Sequence, residues 1–340
     1  MKLILCGDLH TGARKDDPYV NNAQRQFLTY MCDYAIKHSI DTCLQAGDWF
    51  DQRSGLTQET LNFQREFVTP LMENAFRKIV LIVGNHDMHL KNKITPNSAF
   101  EVFSLRPQFY VIQEPTTMLF GNTMWDLFPW ECDENKEAIH KFIEESNSEY
   151  SLGHWELDGF EFYSGVPSTG VSREFLEKYK RAYSGHYHTI SQKDNVQYLG
   201  TPYTITLGDA NDVRGFWVFD TDTGEHEFVA NPMMWHHKIV YNEAFDVSSI
   251  SKYADKIVHM TIQKSDDRLD NVLTQLETIC YKFDTTQTET LAFSADEDVE
   301  LEGLLTTVNK YVDSLEEDAE TISRVKRYIN ELHAEALAGK

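Results

Sequence analysis

The chain has 340 residues, 41% of them hydrophobic and 12% aromatic, enough apolar content for a sizeable core; this excludes global disorder and favours one large domain plus something smaller. No apolar run approaches the ~18–20 residues that span a bilayer, and five scattered cysteines without C-x-x-C spacing argue against a disulfide framework or a cysteine zinc site and for a reducing cytoplasm. The formal charge of −23 is the reverse of the basic footprint of an autonomous nucleic-acid binder, so a nucleic-acid substrate would need cations in the site or a partner subunit to offset it.

The apolar start is too short for a secretory signal and reads as a first strand over residues 3–7, ending in Gly7-Asp8-Leu9-His10. After a polar loop from Arg14 to Pro18, residues 21–38 place Ala23, Phe27, Tyr30, Met31 and Tyr34 on one helical face. The strand over 41–46 closes with Gly47-Asp48-Trp49-Phe50-Asp51. Thr57 caps a second helix reaching to about Ala75, which Pro70 should kink or end. Its apolar residues (Leu61, Phe63, Phe67, Val68, Leu71, Met72) cover more than one face, which fits either a dimer contact beside the core or a helix buried on all sides.

The uninterrupted run Ile79-Val80-Leu81-Ile82-Val83 reads as a strand buried on both faces and delivers Gly84-Asn85-His86-Asp87. Thr95 to Ser98 caps a helix starting near Ser98. Two further polar clusters follow, Gly153-His154-Trp155-Glu156 and Gly185-His186-Tyr187-His188-Thr189, and then closing hairpin strands around Gly200-Thr201-Pro202 and 215–220. Strands over 238–241 and 257–262 with a helix over 269–279 outline a small α/β cap. Residues 284–300 read as an acidic linker, and 301–337 as helical periodicity in two pieces.

Five clusters thus share one pattern: an apolar strand, a glycine, then Asp, Asn or His. Oxygen and imidazole donors without thiolate suit Mn²⁺, Fe²⁺ or Zn²⁺ in a working site more than a structural zinc. Asp8, His10, Asp48, Asn85, His154, His186 and His188 are too many ligands for one ion and fit two ions ~3.5–4 Å apart, a spacing suited to phosphoester hydrolysis. Asp48, alone on its strand end, is the best bridge. His86 is left over as general acid or hydrogen-bond donor to the leaving oxygen, with Asp87 placed to fix its tautomer.

In this order GDLH, GDWFD, GNHD, GHWE and GHYH resemble the calcineurin-like metallophosphoesterase family. Within it, GNHD-x-H-x-K-N, SGHYHTIS and GD-x-ND-x-RGFW resemble the SbcD-type double-strand-break repair nucleases, including their T-even phage branch. The resemblance implies an α/β (in some schemes α+β) fold, a two-sheet β-sandwich flanked by helices. It implies a nuclease domain over 1–232, a DNA-capping domain over 233–283, the linker over 284–300 and partner-docking helices over 301–340. It assigns Asp8, His10, Asp48 and His188 to one ion and Asp48, Asn85, His154 and His186 to the other, with manganese foremost and magnesium, iron or zinc as alternatives. His86 would act on the leaving group with Asp87 behind it. The implied activity is 3′→5′ exonuclease and single-strand endonuclease cleavage of DNA, by a homodimer joined through residues 57–75 and bound to an SbcC-type SMC-like ATPase. The expected location is the cytoplasm, a bacterial host's if phage-encoded.

Arg53, His89, Asn97 and Ser98 are further candidates for the DNA path, although helix capping explains Ser98 and surface solvation explains Arg53 equally well. The adjacent His236 and His237 point to opposite faces of a strand and are poor joint ligands. A phosphoprotein phosphatase or nucleotide phosphodiesterase of the same fold is the alternative enzyme. A catalytically dead scaffold would lack ligands, and none is missing.

Overall fold

The computed structural model describes residues 1–163, 166–167 and 170–287, with Val312, Ile322 and Lys326 of the tail, each of them helical. The chain divides into two compact units, Met1–Thr288 and Glu289–Lys340. The remainder of the expected tail helices, and the linker from 288 onward, lie outside the described residues.

Alternation along the first strands explains the architecture. In the strand Lys2–Cys6, Leu3 and Leu5 join one apolar cluster while Ile4 and Cys6 join another. Lys78–Ile82 divides in the same way, Val80 and Ile82 against Ile79 and Leu81. Successive side chains of a strand point to opposite faces, so strands that are apolar after their first lysine must be covered on both. The cover on one side is helical, including Phe27 and Met31 of the helix Pro18–Lys37. On the other it is a second sheet, which contributes Trp125, Leu152 and Tyr183. That second sheet is covered in turn by Ile139 and Ile143 of the helix Lys136–Glu145, around Phe128 and Trp155.

The first sheet has six strands in the order Glu225–Ala230, Gly215–Asp220, Lys2–Cys6, Thr42–Gln45, Lys78–Ile82 and Phe109–Ile112, the last four mutually parallel. The second, also six-stranded, runs Ser191–Lys193, Val196–Tyr198, Arg181–Gly185, Tyr150–His154, Thr123–Leu127 and Thr116–Phe120, with a parallel centre. This is the two-sheet α/β arrangement expected from sequence. A third, separate parallel sheet of His236–Tyr241, Ile257–Ile262 and Lys282–Gln287 packs with the helix Leu269–Ile279 around Tyr241, Met260, Val272 and Leu276.

Four local expectations change. The first long helix begins at Pro18 instead of Asn21, because the Asp17 carboxylate accepts the Tyr19 N–H and proline is at home in the first helical turn. Pro70 does not end the second helix. A π-helical turn over Gln64–Val68, closed by the Thr69 N–H to the Gln64 carbonyl, widens the coil just ahead of the proline. Thr57 does cap it, accepting the Thr60 N–H at 3.0 Å, and Leu61 is 43% exposed, so the helix is not buried all round. Finally, Lys282–Gln287 is a strand where the linker was expected to begin; Phe283, Thr285 and Thr286 suit an edge strand despite the polar composition.

Candidate metal centre

Parallel strands in both sheets end at one edge; four of the five glycine-led clusters lie in the turns that follow, and the fourth in chain order, Gly153-His154, forms the end of its strand. Cys6 pairs with Gln45 and Gln45 with Leu81 in the first sheet, while His154 pairs with Gly185 in the second. The turns are laced together by backbone: Leu9 and His10 donate to the Asp48 carbonyl at 3.1 and 3.0 Å. His10, Asp48 and His186 all adopt left-handed backbone with φ of 46°, 51° and 88°. Such conformations cost non-glycine residues of order 1–3 kcal/mol each and persist only where surrounding structure enforces them. The glycines leave clearance for neighbouring ligands. A Cβ on Gly84 would lie 2.3 Å from Asp48 Oδ1, and one on Gly185 would lie 2.5 Å from Asp8 Oδ1.

Two groups of donors converge, Asp8 with His10 and His188, and Asp48 with His154 and His186, and a third joins His10 to Asp51 and His86. Asp48 Oδ2 is 3.2 Å from His154 Nε2 and 3.9 Å from His10 Nε2, so it faces the first two groups. Asn85 Oδ1 lies 2.9 Å from His154 Nε2 and 3.1 Å from His186 Nδ1. His10 and His188 meet Nε2 to Nε2 at 3.2 Å. His154 Nδ1 is already committed to the Ala46 carbonyl at 2.6 Å, which directs the Nε2 lone pair at Asp48 and Asn85. Lone pairs aimed at one another at these distances need a proton or a cation between them, and this donor set fits two divalent ions with Asp48 shared.

The electrostatics of the protein alone point the same way. Burial would raise the Asp48 carboxyl, but His154, His10 and His86 hold it far below the usual carboxylate range. Burial lifts Asp8 to about 7, only partly opposed by His154. Burial pulls His154 and His10 down, yet both are raised to about 9: His154 by Asp48 and Asp8, His10 by Asp51, Asp48 and Asp8. His186 and His188 are pushed to about 3, by burial first and then by cationic neighbours. Positive charge is therefore drawn to the carboxylates even without an ion.

His86 stands outside the first two groups and shares the third with Asp51 and His10; it is partly exposed, its ring edge-on to His10 at 4.9 Å. Its N–H donates to Asp48 Oδ1 at 2.7 Å and its Nδ1 meets the Asp51 carbonyl at 2.6 Å. That bond fixes the tautomer and leaves Nε2 as the ring's remaining polar atom. The expectation that Asp87 does this is corrected. Asp87 is buried, and its carboxylate accepts the N–H groups of Phe50 (3.0 Å), Gly84 (3.0 Å) and Trp49 (3.4 Å). It turns away from His86 and ties the Asp48 turn to the Asn85 turn.

Asn97 is also corrected as a DNA-path candidate. It is buried, it caps the helix Ser98–Phe103 through the Phe100 N–H, and its amide donates to Ile94 and Gln113. Ser98 is not the cap; its hydroxyl donates to the Asp87 carbonyl at 3.1 Å. Arg53 is half-buried and His89 exposed, and neither makes a hydrogen bond or ion pair among the described residues. His236 and His237 part as expected, His236 inward to Thr204 Oγ1 at 2.8 Å and His237 against Tyr253.

Three neighbours escaped the sequence reading. Asp51 Oδ1 is 3.4 Å from His10 Nδ1; a second acid three residues after Asp48 was the available signal. Trp130 packs against His154 and His186, with ring centroids 5.7 and 4.9 Å apart, and nothing in its local sequence marks it. Arg214 donates to the His188 carbonyl, and only its place in the GD-x-ND-x-RGFW stretch hinted at it.

A family model for calcineurin-like phosphoesterase matches residues 1–190. The chain is 36% identical over 340 residues, 99% of both chains, to exonuclease subunit 1 of Enterobacteria phage T4. It is 23% identical over 248 residues, 64% of this chain and 66% of the other, to DNA double-strand break repair protein Mre11 of Nanoarchaeum equitans. A solved archaeal phosphodiesterase overlays at TM-score 0.37 with 9% identity, over 68% of this chain and 100% of that one. No helix of the described residues is long and apolar enough to cross a membrane. On the family match and the full-length relative together, the chain belongs to the calcineurin-like phosphoesterases, hydrolases of phosphoester bonds.

Proposed function

We propose that this chain is the nuclease subunit of an SbcCD-type ATPase–nuclease complex, a manganese-dependent enzyme with 3′→5′ exonuclease and single-strand endonuclease action on DNA. The observation that carries this reading is the pair of donor groups brought together at Asp48, with His86 held beside them by the Asp51 carbonyl and grouped only with Asp51 and His10. The full-length similarity to a phage exonuclease subunit supports a nucleic-acid substrate. When bound, two divalent ions supply a nucleophile at neutral pH and neutralise charge on the phosphate. The rest is the work of side chains. Asp8, His10, Asp48 and His188 hold one position; Asp48, Asn85, His154 and His186 hold the other. His86, its Nδ1–H given to the Asp51 carbonyl, presents Nε2 to the leaving oxygen and, in its doubly protonated form, donates a proton or hydrogen bond to it. Asp87 contributes indirectly, by keeping Asp48 and Asn85 in register.

The same reading makes the partly exposed helical surface over 57–75 a homodimer contact and the 301–340 segment the dock for an SMC-like ATPase. Such a partner would share the DNA contacts that a chain of charge −23 is poorly suited to make alone. The test is cleavage of an end-labelled oligonucleotide with Mn²⁺, beside a phosphopeptide and a cyclic nucleotide. His86→Ala should retain its metal and lose cleavage. Turnover of the phosphopeptide or cyclic nucleotide in place of DNA would assign the chain to the phosphatases or nucleotide phosphodiesterases of this fold. Cleavage by His86→Ala at the parent rate would remove its assigned role. Co-purification with the ATPase, lost on truncation after Thr288, which spares the strand Lys282–Gln287, tests the dock.

A further inference from the structure

We propose that Arg214 and Asp209 are positioning residues for His188, and that through them one metal position can be lost while the other is kept. The proposal rests on the two-ion reading of the site.

The two donor groups are supported differently. His154 sits in the strand Tyr150–His154 and is anchored by its own ring to the Ala46 carbonyl of the opposite sheet. His188 lies three residues beyond the end of its strand, Arg181–Gly185, in a turn without ladder pairing of its own. Its support comes from the segment 201–214. The Thr201 N–H donates to the His188 carbonyl at 3.0 Å, and the Arg214 Nη1 donates to the same carbonyl and to Thr201 Oγ1 at 2.7 Å. Arg214 Nη2 reaches Asp209 Oδ1 at 3.2 Å and Asp212 Oδ2 at 3.0 Å. Asp209 Oδ1 in turn lies 4.0 Å from His188 Nδ1, on the opposite side of the ring from the Nε2 that meets His10. The other Asp209 oxygen accepts the N–H groups of Ile205 and Thr206, both at 2.9 Å, which fixes the carboxylate.

Arg214 is the one buried lysine or arginine among the described residues. A buried guanidinium is costly unless its donors are used, and here both terminal nitrogens are bonded to His188 and the residues around it, while Nε has no hydrogen-bond partner among the described residues. Asp209 stands behind the His188 imidazole beyond hydrogen-bond length and acts on the ring by charge, while Arg214 and Thr201 hold its backbone carbonyl; losing such outer partners typically weakens metal affinity about 10–100-fold. Among the described residues Asp48, Asn85 and His154 make no bond to Arg214 or Asp209, and His186, in the same turn as His188, is held separately by its N–H to Asp8 Oδ2 at 2.9 Å and by Asn85 Oδ1 at 3.1 Å, so the effect should fall on one position.

The test is Mn²⁺ binding to the full chain by equilibrium dialysis, with electron paramagnetic resonance of the bound ions, for the parent, Arg214→Met, Arg214→Lys and Asp209→Asn. The parent should take two ions and give the spin-coupled signal of a pair. Arg214→Met should keep one ion at parental affinity and bind the second about 10–100-fold more weakly. At concentrations that fill only the tighter position, its signal should be that of an isolated ion. Arg214→Lys should fall between, and if Arg214→Met does not fold, Arg214→Lys and Asp209→Asn carry the same expectation of selective loss. Two ions at parental affinity in these variants would overturn the proposal, and so would equal weakening of both. A parent that binds fewer than two ions would overturn the two-ion reading beneath it, and would show this before any substitution is made.

Discussion

Asp87 is where structure and sequence make opposite predictions, and the difference can be measured. If it served His86, removing it would spare stability and alter the activity profile with pH. In the structure its carboxylate instead accepts two N–H groups at 3.0 Å, from Phe50 and Gly84, and a longer one at 3.4 Å from Trp49. All three donors are buried backbone. Each buried donor left without a partner costs about 1–3 kcal/mol. Asp87→Ala should therefore cost about 2–6 kcal/mol, counting the two short bonds, a large share of the ~5–15 kcal/mol by which domains are stable. Asp87→Asn keeps one acceptor oxygen but turns an amide N–H₂ toward donors, so it should lose about 1–3 kcal/mol, at least one bond's worth. The order parent, Asn, Ala should appear in urea unfolding of the metal-free proteins. What remains folded should keep the parental pH dependence of cleavage, because the Asp51 carbonyl still orients His86. An Asp87→Ala protein of parental stability with a displaced pH profile would refute this account and restore Asp87 as the partner of His86.

Two further expectations rest on separate observations. Gly84→Ala would set a Cβ 2.2 Å from the Asp48 N and 2.3 Å from its Oδ1; overpacking of this kind costs about 1–3 kcal/mol. It should also lower metal content by displacing the shared carboxylate, which metal analysis of the purified variant would check. His236 is held down to about 4, mainly by burial, against about 6.5 in an unfolded chain. The unfolded state then binds more protons between those values, so this residue's stabilising contribution is complete above about pH 6.5 and is lost as pH falls toward 4. Between pH 7.5 and 5 the loss is about 2 kcal/mol, and His236→Gln should show that much less acid sensitivity in urea titrations at the two pH values.

Much of the frame was legible because it follows from burial. Strands with an apolar body had to lie between two layers, and most of the glycines followed by Asp, Asn or His leave the sheet, Gly153-His154 being the exception that ends inside it. Thr57 as a cap was legible because the bond it makes is local. Less visible was anything decided by direction or by distant partners. The side chain of Asp87 turns back to its own strand and to the Asp48 turn, where sequence adjacency suggested His86. Asn97 and Ser98 are both competent caps, and only the φ of −138° and ψ of 148° at Asn97 decide between them. Pro70 passes because a π turn precedes it, a feature no periodicity announces. Arg214 matters through His188, 26 residues away, and the strand Lys282–Gln287 hides in a polar composition.

The convergence of the five clusters depends on strand register more than on the turns themselves. Asp8 and Asp48 follow the paired residues Cys6 and Gln45 by two and three positions, and Asn85 follows Leu81 by four. A slip of one residue between these strands would exchange their two faces, sending Leu3 and Leu5 toward the helices and Ile4 and Cys6 toward the second sheet. It would also shift Asp8 by about 3.3 Å relative to Asp48, farther than the slack in a site whose donors stand 2.9–3.9 Å apart. The large residues that fix the register, Trp125 and Tyr183 between the sheets and Phe27 beneath the helices, are fully buried. Core packing and ligand geometry are thus one constraint. A polar residue introduced at Leu5 or Val80 should disturb the metal groups although neither side chain is among their donors.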